Sequence, residues 1–381
     1  MNDPAAHIAQ LIHREGPITF DRFMEAALYG EGGFFATGHG AGRAGRDFIT
    51  SPEVGSLFGV CMARALDRLW RALGEPDPFL VVEAGAGNGR LARDVLRAGP
   101  ACLPALRYVL VERSAHLRAE QRERLTLEPP DEALGPFARR ADDEHTVPAQ
   151  GAGPVFVALD ELPALAADDV VVIANELLDN LPFGIAQWNG ARFDEVRVGI
   201  EGDDFVEILI PVELEMPFAV TPGTRVPIPR GVHEWLAACD ALVRRGFVLA
   251  IDYMTPAAEL ATRPWLRTYR AHGPGEYPLA DIGGQDITAD VVLELLDHAS
   301  PLPIARVMRQ AEWLDVLGIA ALADEGRKAW DAGAARGDLT ALAGRSRVNE
   351  MWALTDVGGL GAHHVVLFAK GIAGNGFDWR R

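Results

Sequence analysis

The spacing of apolar residues changes along this chain, and each change marks an element. Residues 5–15 and 19–29 carry apolar side chains at helical spacing, which predicts two short helices. Thr19, ahead of "FDRFMEAAL", stands where an N-cap of the second belongs. A Gly-rich stretch follows, "YGEGGFFATGHGAGRAGRDFITSP". Its Phe34, Phe35 and Phe48 predict an ordered loop or lid, because disordered linkers are poor in aromatic residues. From Pro52 the helical period returns over "PEVGSLFGVCMARALDRLWRAL", with proline in the first turn.

After residue 78, short apolar runs alternate with amphipathic ones. Strand "FLVVEAG" leads to helix "GRLARDVLRAG", and strand "RYVLVER" to helix "AHLRAEQRERL". Strands "GPVFVALD" and "DVVVIANE" follow, then helix "GVHEWLAACDALVRR" and strand "GFVLAIDY". Helix "TADVVLELLDHA" precedes "IARVMRQAEWLDVLG", and "HHVVLFAKG" is the closing strand. This alternation predicts a mainly parallel sheet with helices on both faces, a doubly wound α/β fold. Residues 185–226 break the rhythm, alternating with period two around an Asn-Gly and a Gly-Asp turn, as a β-hairpin insertion does. The expected organisation is a helical lid segment over 1–53 and a core in two parts, 54–184 and 231–371. The arm is inserted at 185–230, the second core part carries a helical insertion, and 372–381 form a tail.

Nearly half of the 381 residues are apolar, enough for a sizeable core. The net charge of −18 argues against nucleic acid or an anionic membrane as main partner, since both need a basic footprint. Cys61, Cys102 and Cys239 are scattered, so neither a disulfide framework nor a zinc site is expected, and no other metal site is read. The first twenty residues lack the pattern of a signal or transit peptide, and no apolar run approaches the ~20 residues of a membrane helix. A cytoplasmic enzyme or binding protein is the expectation.

The chemistry begins at "VVEAGAGNGRLARDVL", where Gly85, Ala86, Gly87 and Gly89 form a turn between a strand and a helix. A dinucleotide fingerprint wants its third glycine where Arg90 stands, and no Gly-Lys-Ser/Thr follows, so pyrophosphate readings weaken. Glu83 would repel a phosphate and suits an amine or a sulfonium. Glu112, at the end of the second strand, stands where an adenosine ribose offers two hydroxyls, although it could instead cap the helix at Ser114. Asp160 and Glu161 reach the tip of the third strand, near an adenine. Together these describe a pocket for S-adenosyl-L-methionine.

At this point the chain resembles the MidA-type class I methyltransferases, the group that contains the mitochondrial complex I assembly arginine methyltransferase. The stretches that carry the resemblance include "ITFDRFMEAALYGEGGFF", "RDFITSPEVGSLFG", "ANELLDNLPF", "LRTYRAHGPGEYPLADIGGQDITADV" and "GGLGAHHVVLFAKG". The resemblance implies a seven-stranded, Rossmann-like methyltransferase sheet with an N-terminal helical lid and an inserted β arm. Arg46, Leu177, Leu178, Asn180 and Met254 depart from the family pattern around the expected acceptor pocket.

Asn175 and Glu176 end a strand expected beside the glycine-loop strand, so they face the point of methyl transfer. Glu176 and Asp179 are the expected catalytic pair, holding a guanidinium if the acceptor is arginine; otherwise Asp179 caps the turn at Pro182. Asp47, Thr50, Ser51 and Pro52 are expected to close the lid, although Ser51-Pro52-Glu53 also reads as an ordinary helix start. Asp252 and Tyr253 either line the acceptor pocket or make structural hydrogen bonds. His363 and His364 are expected at the surface, and Trp70 in the core. The expected partner is a protein substrate, a respiratory-complex subunit being one candidate, or a small-molecule acceptor. A homodimer is a candidate assembly, and a non-catalytic assembly factor is the competing class.

Overall fold

The computed structural model describes residues 3–37, 50–133, 152–164, 166–270, 273–334, 339–372 and 377–380. Seven of the apolar runs lie side by side in one sheet. Numbered within that sheet in chain order, they are β1 (Phe79–Ala84), β2 (Leu106–Val111), β3 (Val155–Leu159), β4 (Ala167–Asn175), β5 (Val243–Asp252), β6 (Ile304–Arg309) and β7 (His364–Lys370). Their order is β6-β7-β5-β4-β1-β2-β3. Strands β1 to β5 pair in parallel, and β7 runs antiparallel between β5 and β6. This is the predicted doubly wound, seven-stranded sheet.

Successive residues of β1 serve opposite faces, as the pleat requires. Phe79 and Val81 pack with Leu57, Phe58 and Leu66 of helix Leu57–Ala72 on one side. Leu80, Val82 and Ala84 pack with Val232, Leu236 and Cys239 of helix Arg230–Leu242 on the other. A strand covered on both faces cannot alternate apolar with polar, which explains the unbroken run "FLVV". Each such side chain contributes on the order of 1.5–3 kcal/mol by leaving water.

A third apolar cluster lies outside the main sheet. The inserted arm is larger than the expected hairpin. Strands Gly184–Trp188, Phe193–Glu201, Asp204–Val212 and Arg225–Ile228 form an antiparallel sheet, and Ile18–Thr19 adds to its edge at Val198 and Arg197. A lone hairpin would leave Ile185, Val196 and Val226 wet and be marginal. Here Phe20, Phe23 and Leu28 of helix Phe20–Leu28 cover them. The N-terminal helices therefore belong to the arm.

Other local expectations need correction. The helix expected from Pro52 is interrupted at Gly55, where the backbone is extended and a Cβ would collide with the Glu350 carboxylate, leaving Ser51–Val54 as a separate turn of helix. Thr19 holds the N-cap position, but its side chain makes no capping bond. The stretch "TADVVLELLDHA" starts as strand, because Asp286–Ala289 pairs antiparallel with Leu266–Arg270; helix begins only at Leu293. The helical insertion is a hairpin of Ile319–Gly333 and Leu339–Thr355.

Candidate functional site

A cleft of about 720 Å³ opens over the carboxyl ends of β1, β2, β3 and β4, the end where doubly wound sheets bind ligands. Its floor is the turn after β1. Gly85, Gly87 and Gly89 have φ of +69°, +52° and +77°, the left-handed region that side chains disfavour. A Cβ on Gly85 would also come within 3.0 Å of Leu177. The Ala86 N–H donates to the Val111 carbonyl at 2.9 Å, fixing the turn between β1 and β2.

The acids at the strand ends differ in environment. Glu83 is buried and accepts the Tyr108 hydroxyl at 2.8 Å; burial pushes its carboxyl up to about 8. Glu112 is partly buried, and desolvation raises it as well. Its two oxygens accept the Gly87 N–H at 2.9 Å and the Ser114 N–H at 2.8 Å. It thus binds the start of the next helix, braces the glycine turn and still lines the cleft. A carboxylate has about four lone-pair sites, so two remain for a ligand's hydroxyls. Asp160 and Glu161 follow β3 as exposed residues on the cleft wall.

At the end of β4 the Glu176 N–H donates to the Ile251 carbonyl at 2.8 Å, and the chain then turns with φ +52° at Glu176. Such a conformation costs a non-glycine residue about 1–3 kcal/mol and persists only when its surroundings enforce it. The enforcing contact is the Ser51 N–H, which donates to Glu176 Oε1 at 2.8 Å; Asn175 Nδ2 donates to the same oxygen at 3.3 Å. Desolvation pushes the Glu176 carboxyl up to about 8, the Ser51 bond working against it and the nearby Asp179 charge with it. Asn175 Oδ1, buried at the cleft, has no hydrogen-bond partner, which leaves an acceptor for a ligand's donor.

Asp179 is placed differently from its expected partner. It lies in the turn Leu178–Asn180, is not among the residues lining the cleft, and accepts the Thr288 hydroxyl at 2.8 Å. Burial pushes its carboxyl up to about 6. Nor does it cap the turn at Pro182. That work falls to Asp252, whose carboxylate accepts from the N–H groups of Leu178 at 2.7 Å, Asp179 at 3.4 Å and Tyr253 at 2.8 Å. Asp252 is therefore a structural acceptor, and burial raises it well above the carboxylate range. Tyr253 is exposed, edge-on to the His363 ring at 3.8 Å.

The lid residues divide as well. Thr50 and Pro52 line the cleft, and the buried Ser51 hydroxyl donates to Gln310 Oε1 at 3.1 Å. Asp47, with Arg46 and Phe48, lies outside the described residues. Of the positions that depart from the family pattern, Leu177 and Asn180 border the cleft, whereas Leu178 and Met254 are buried in the core. His363 and His364 are buried, contrary to expectation, because β7 lies inside the sheet and its first residues are covered. Burial pushes both imidazoles down to about 4. Trp70 packs against the core as expected.

Several cleft residues escaped sequence reasoning. Tyr29 stacks on Phe35 at 5.3 Å, donates its hydroxyl to the Asn180 carbonyl at 3.0 Å and lies under the Arg113 guanidinium at 4.4 Å. Arg113 in turn pairs with Glu25. The aromatic residues of the Gly-rich stretch were the available signal, but nothing local links them to Arg113. Arg90, read only as a missing glycine, lines the cleft and pairs with Glu53 at 3.2 Å. Among the described residues, no group of His, Cys, Asp and Glu side chains could hold a metal ion, and no helix is long and apolar enough to cross a membrane.

A family model described as "Putative S-adenosyl-L-methionine-dependent methyltransferase" matches residues 61–305. A Drosophila melanogaster protein named protein arginine methyltransferase NDUFAF7 homolog, mitochondrial, is 27% identical over 300 residues, 74% of this chain and 66% of that protein. The chain thus spans about two thirds of that relative's length. A Caenorhabditis elegans protein of the same name is 30% identical over 340 residues, covering 81% of this chain and 74% of its own. A solved structure from Burkholderia thailandensis, bound to S-adenosyl-homocysteine, matches with a TM-score of 0.77 at 26% identity. That match covers 97% of this chain and 92% of the other.

The raised carboxyls of Glu83 and Glu176 make stability depend on pH. Each holds its proton more tightly folded, near 8, than at its ordinary value of 4.5, so its contribution is full below 4.5 and is lost as pH rises through 8. The depressed His363 and His364 act in the opposite sense, but only below their ordinary 6.5. Between pH 6.5 and 8 the melting temperature of the ligand-free protein is expected to fall, and Glu83→Gln to flatten that slope. Scanning calorimetry across the window tests this; a flat or rising profile in the parent protein would contradict it.

Proposed function

This chain belongs to the family of S-adenosyl-L-methionine-dependent methyltransferases, and we propose that it methylates an arginine nitrogen of a protein, with Glu176 holding the acceptor. The cofactor is S-adenosyl-L-methionine, which when bound supplies an electrophilic methyl group on a sulfonium. The residues present fit it: a floor of glycines without Cβ atoms, Glu112 for vicinal hydroxyls, and the unpartnered Asn175 Oδ1. The arginine acceptor is supported by the names of the Drosophila and Caenorhabditis relatives and by the character of Glu176.

The observation that carries the proposal is the poorly hydrated Glu176 carboxyl at the cleft, aimed by a strained turn. Transfer from a sulfonium needs alignment and electrostatics rather than covalent catalysis, and a fixed carboxylate supplies both to a guanidinium. A guanidinium against it favours the ionised form, opposing the desolvation that pushes it up to about 8. Such a group is also suited to accept the proton that the methylated nitrogen releases near neutral pH. Asp179 then acts on Glu176 through its charge. A respiratory-complex subunit is the protein acceptor we name first, in the cytoplasm, with a homodimer as the accompanying assembly.

Two expectations test this reading. Glu112→Ala should weaken S-adenosyl-homocysteine binding by about 1.5–3 kcal/mol in titration calorimetry, the scale of charge-assisted hydrogen bonds; an unchanged affinity would make Glu112 a brace for the turn alone. Glu176→Gln should keep cofactor affinity and lower methyl transfer to protein by about 10²-fold, with Asp179→Asn showing a smaller loss. Radiolabelled cofactor and cell protein provide the assay. Full transfer by Glu176→Gln, or label found only in small molecules, would contradict the proposal.

A further inference from the structure

The order of the sheet gives Glu176 two sides. β4 stands between β1, which carries the glycine turn, and β5, which ends at Asp252. With the cofactor on the glycine-turn side, the end of β5 is the side left for an acceptor. The residue that emerges there is Tyr253, which lies outside the lining of the cleft and is 36% exposed. Its backbone is pinned twice: the N–H donates to Asp252 Oδ1 at 2.8 Å, and the carbonyl accepts the Val291 N–H at 3.0 Å. Its ring is held as well. His363 meets it edge-on with ring centroids 3.8 Å apart, and the Arg267 guanidinium lies 5.5 Å from its centre. Arg267 is fixed in turn by an ion pair with the buried Asp290, and its cross-strand partner Thr288 is the residue that bonds Asp179. An aromatic side chain left open to solvent yet held this firmly is suited to contact a ligand.

The charges around the ring point to what that ligand is. Burial raises the Tyr253 phenol above its ordinary range, and the nearby carboxyls of Glu176 and Asp179 add to the effect. Asp290 and Asp179 both act on Arg267, so three carboxyls are set against one guanidinium. His363, pushed down to about 4 by burial, adds no positive charge near neutral pH. We propose that Tyr253 is the platform for the acceptor side chain: the arginine to be methylated enters over the end of β5 and lies against this ring as its guanidinium reaches Glu176. Aromatic rings take guanidinium groups and their apolar stems in this way, as Tyr253 already takes Arg267. Arg267 and His363 are positioning residues, which act on the acceptor only by holding the ring. The platform rests on the acceptor being arginine, and the labelled product separates the two ideas.

The test supplies radiolabelled S-adenosyl-L-methionine with cell protein over a range of concentrations, and titrates S-adenosyl-homocysteine into each variant separately. Tyr253→Ala should raise the protein concentration needed for half-maximal transfer roughly 10-fold or more, the scale for removing a central aromatic contact. Transfer at saturating protein should change less, and S-adenosyl-homocysteine affinity should stay within about threefold, because the cofactor side is untouched. Tyr253→Phe keeps the ring and should behave like the parent, whereas Arg267→Gln should shift in the direction of Tyr253→Ala by a smaller factor. Tyr253→Leu fills the volume without the aromatic face and provides the reading if Tyr253→Ala does not fold. If the parent labels arginine and Tyr253→Ala or Tyr253→Leu needs no more protein than the parent, the platform is overturned alone. An equal loss in Tyr253→Phe, or a matching loss of cofactor affinity, would also overturn it. Label carried by the parent only to small molecules, or to other side chains, would overturn the arginine acceptor and the platform with it.

Discussion

The site depends on one contact, the Ser51 N–H donated to the carboxylate of Glu176. Glu176 directly follows β4, in the middle of the sheet, and Ser51 belongs to the first turn of the lid helix. The sequence separation is 125 residues, so the bond closes a long loop whose ordering must be offset elsewhere. Its position imposes three things together. Glu176 adopts a left-handed backbone, its carboxyl loses water, and Pro52 and Glu53 are carried to the cleft.

The rest of the architecture serves that geometry. β4 is held between β1 and β5, so its last residues emerge beside the glycine turn. Asp252, at the end of β5, takes the N–H groups of Leu178 and Asp179 and fixes the turn that follows Glu176. Thr288 secures Asp179 from the 286–289 strand. Ser51 is anchored a second time through Gln310. The consequence is a cluster of three carboxyls, Glu176, Asp179 and Asp252, each raised above its ordinary range by burial and by its neighbours. Near neutral pH such a cluster responds to a cation, which is the charge borne by both a sulfonium and a guanidinium.

The parts of this site legible in the sequence were those whose signal is local. Gly85, Gly87 and Gly89 follow a buried strand at fixed spacing, and Glu83, Glu112 and Asn175–Glu176 occupy strand ends that the apolar period locates. The arm was legible as antiparallel pairs, but not its union with Ile18–Thr19, because two residues leave no periodic trace. Asp179 was assigned with Glu176 for its nearness along the chain, whereas its partner Thr288 lies 109 residues away on a segment that reads as helix. Two adjacent histidines at the start of a strand look solvated, yet β7 sits inside the sheet and both are buried there. Tyr29 with Arg113 and Arg90 with Glu53 are tertiary pairs, and no single window of sequence contains either of them.

Amide hydrogen exchange at Ser51 tests most directly whether Glu176 holds the lid helix to the sheet. In Glu176→Ala the Ser51 amide loses a charge-assisted acceptor, and its exchange should accelerate about tenfold or more while the amides of β1 and β4 keep their protection. Unchanged protection at Ser51, or uniform loss of protection across the sheet, would contradict the account.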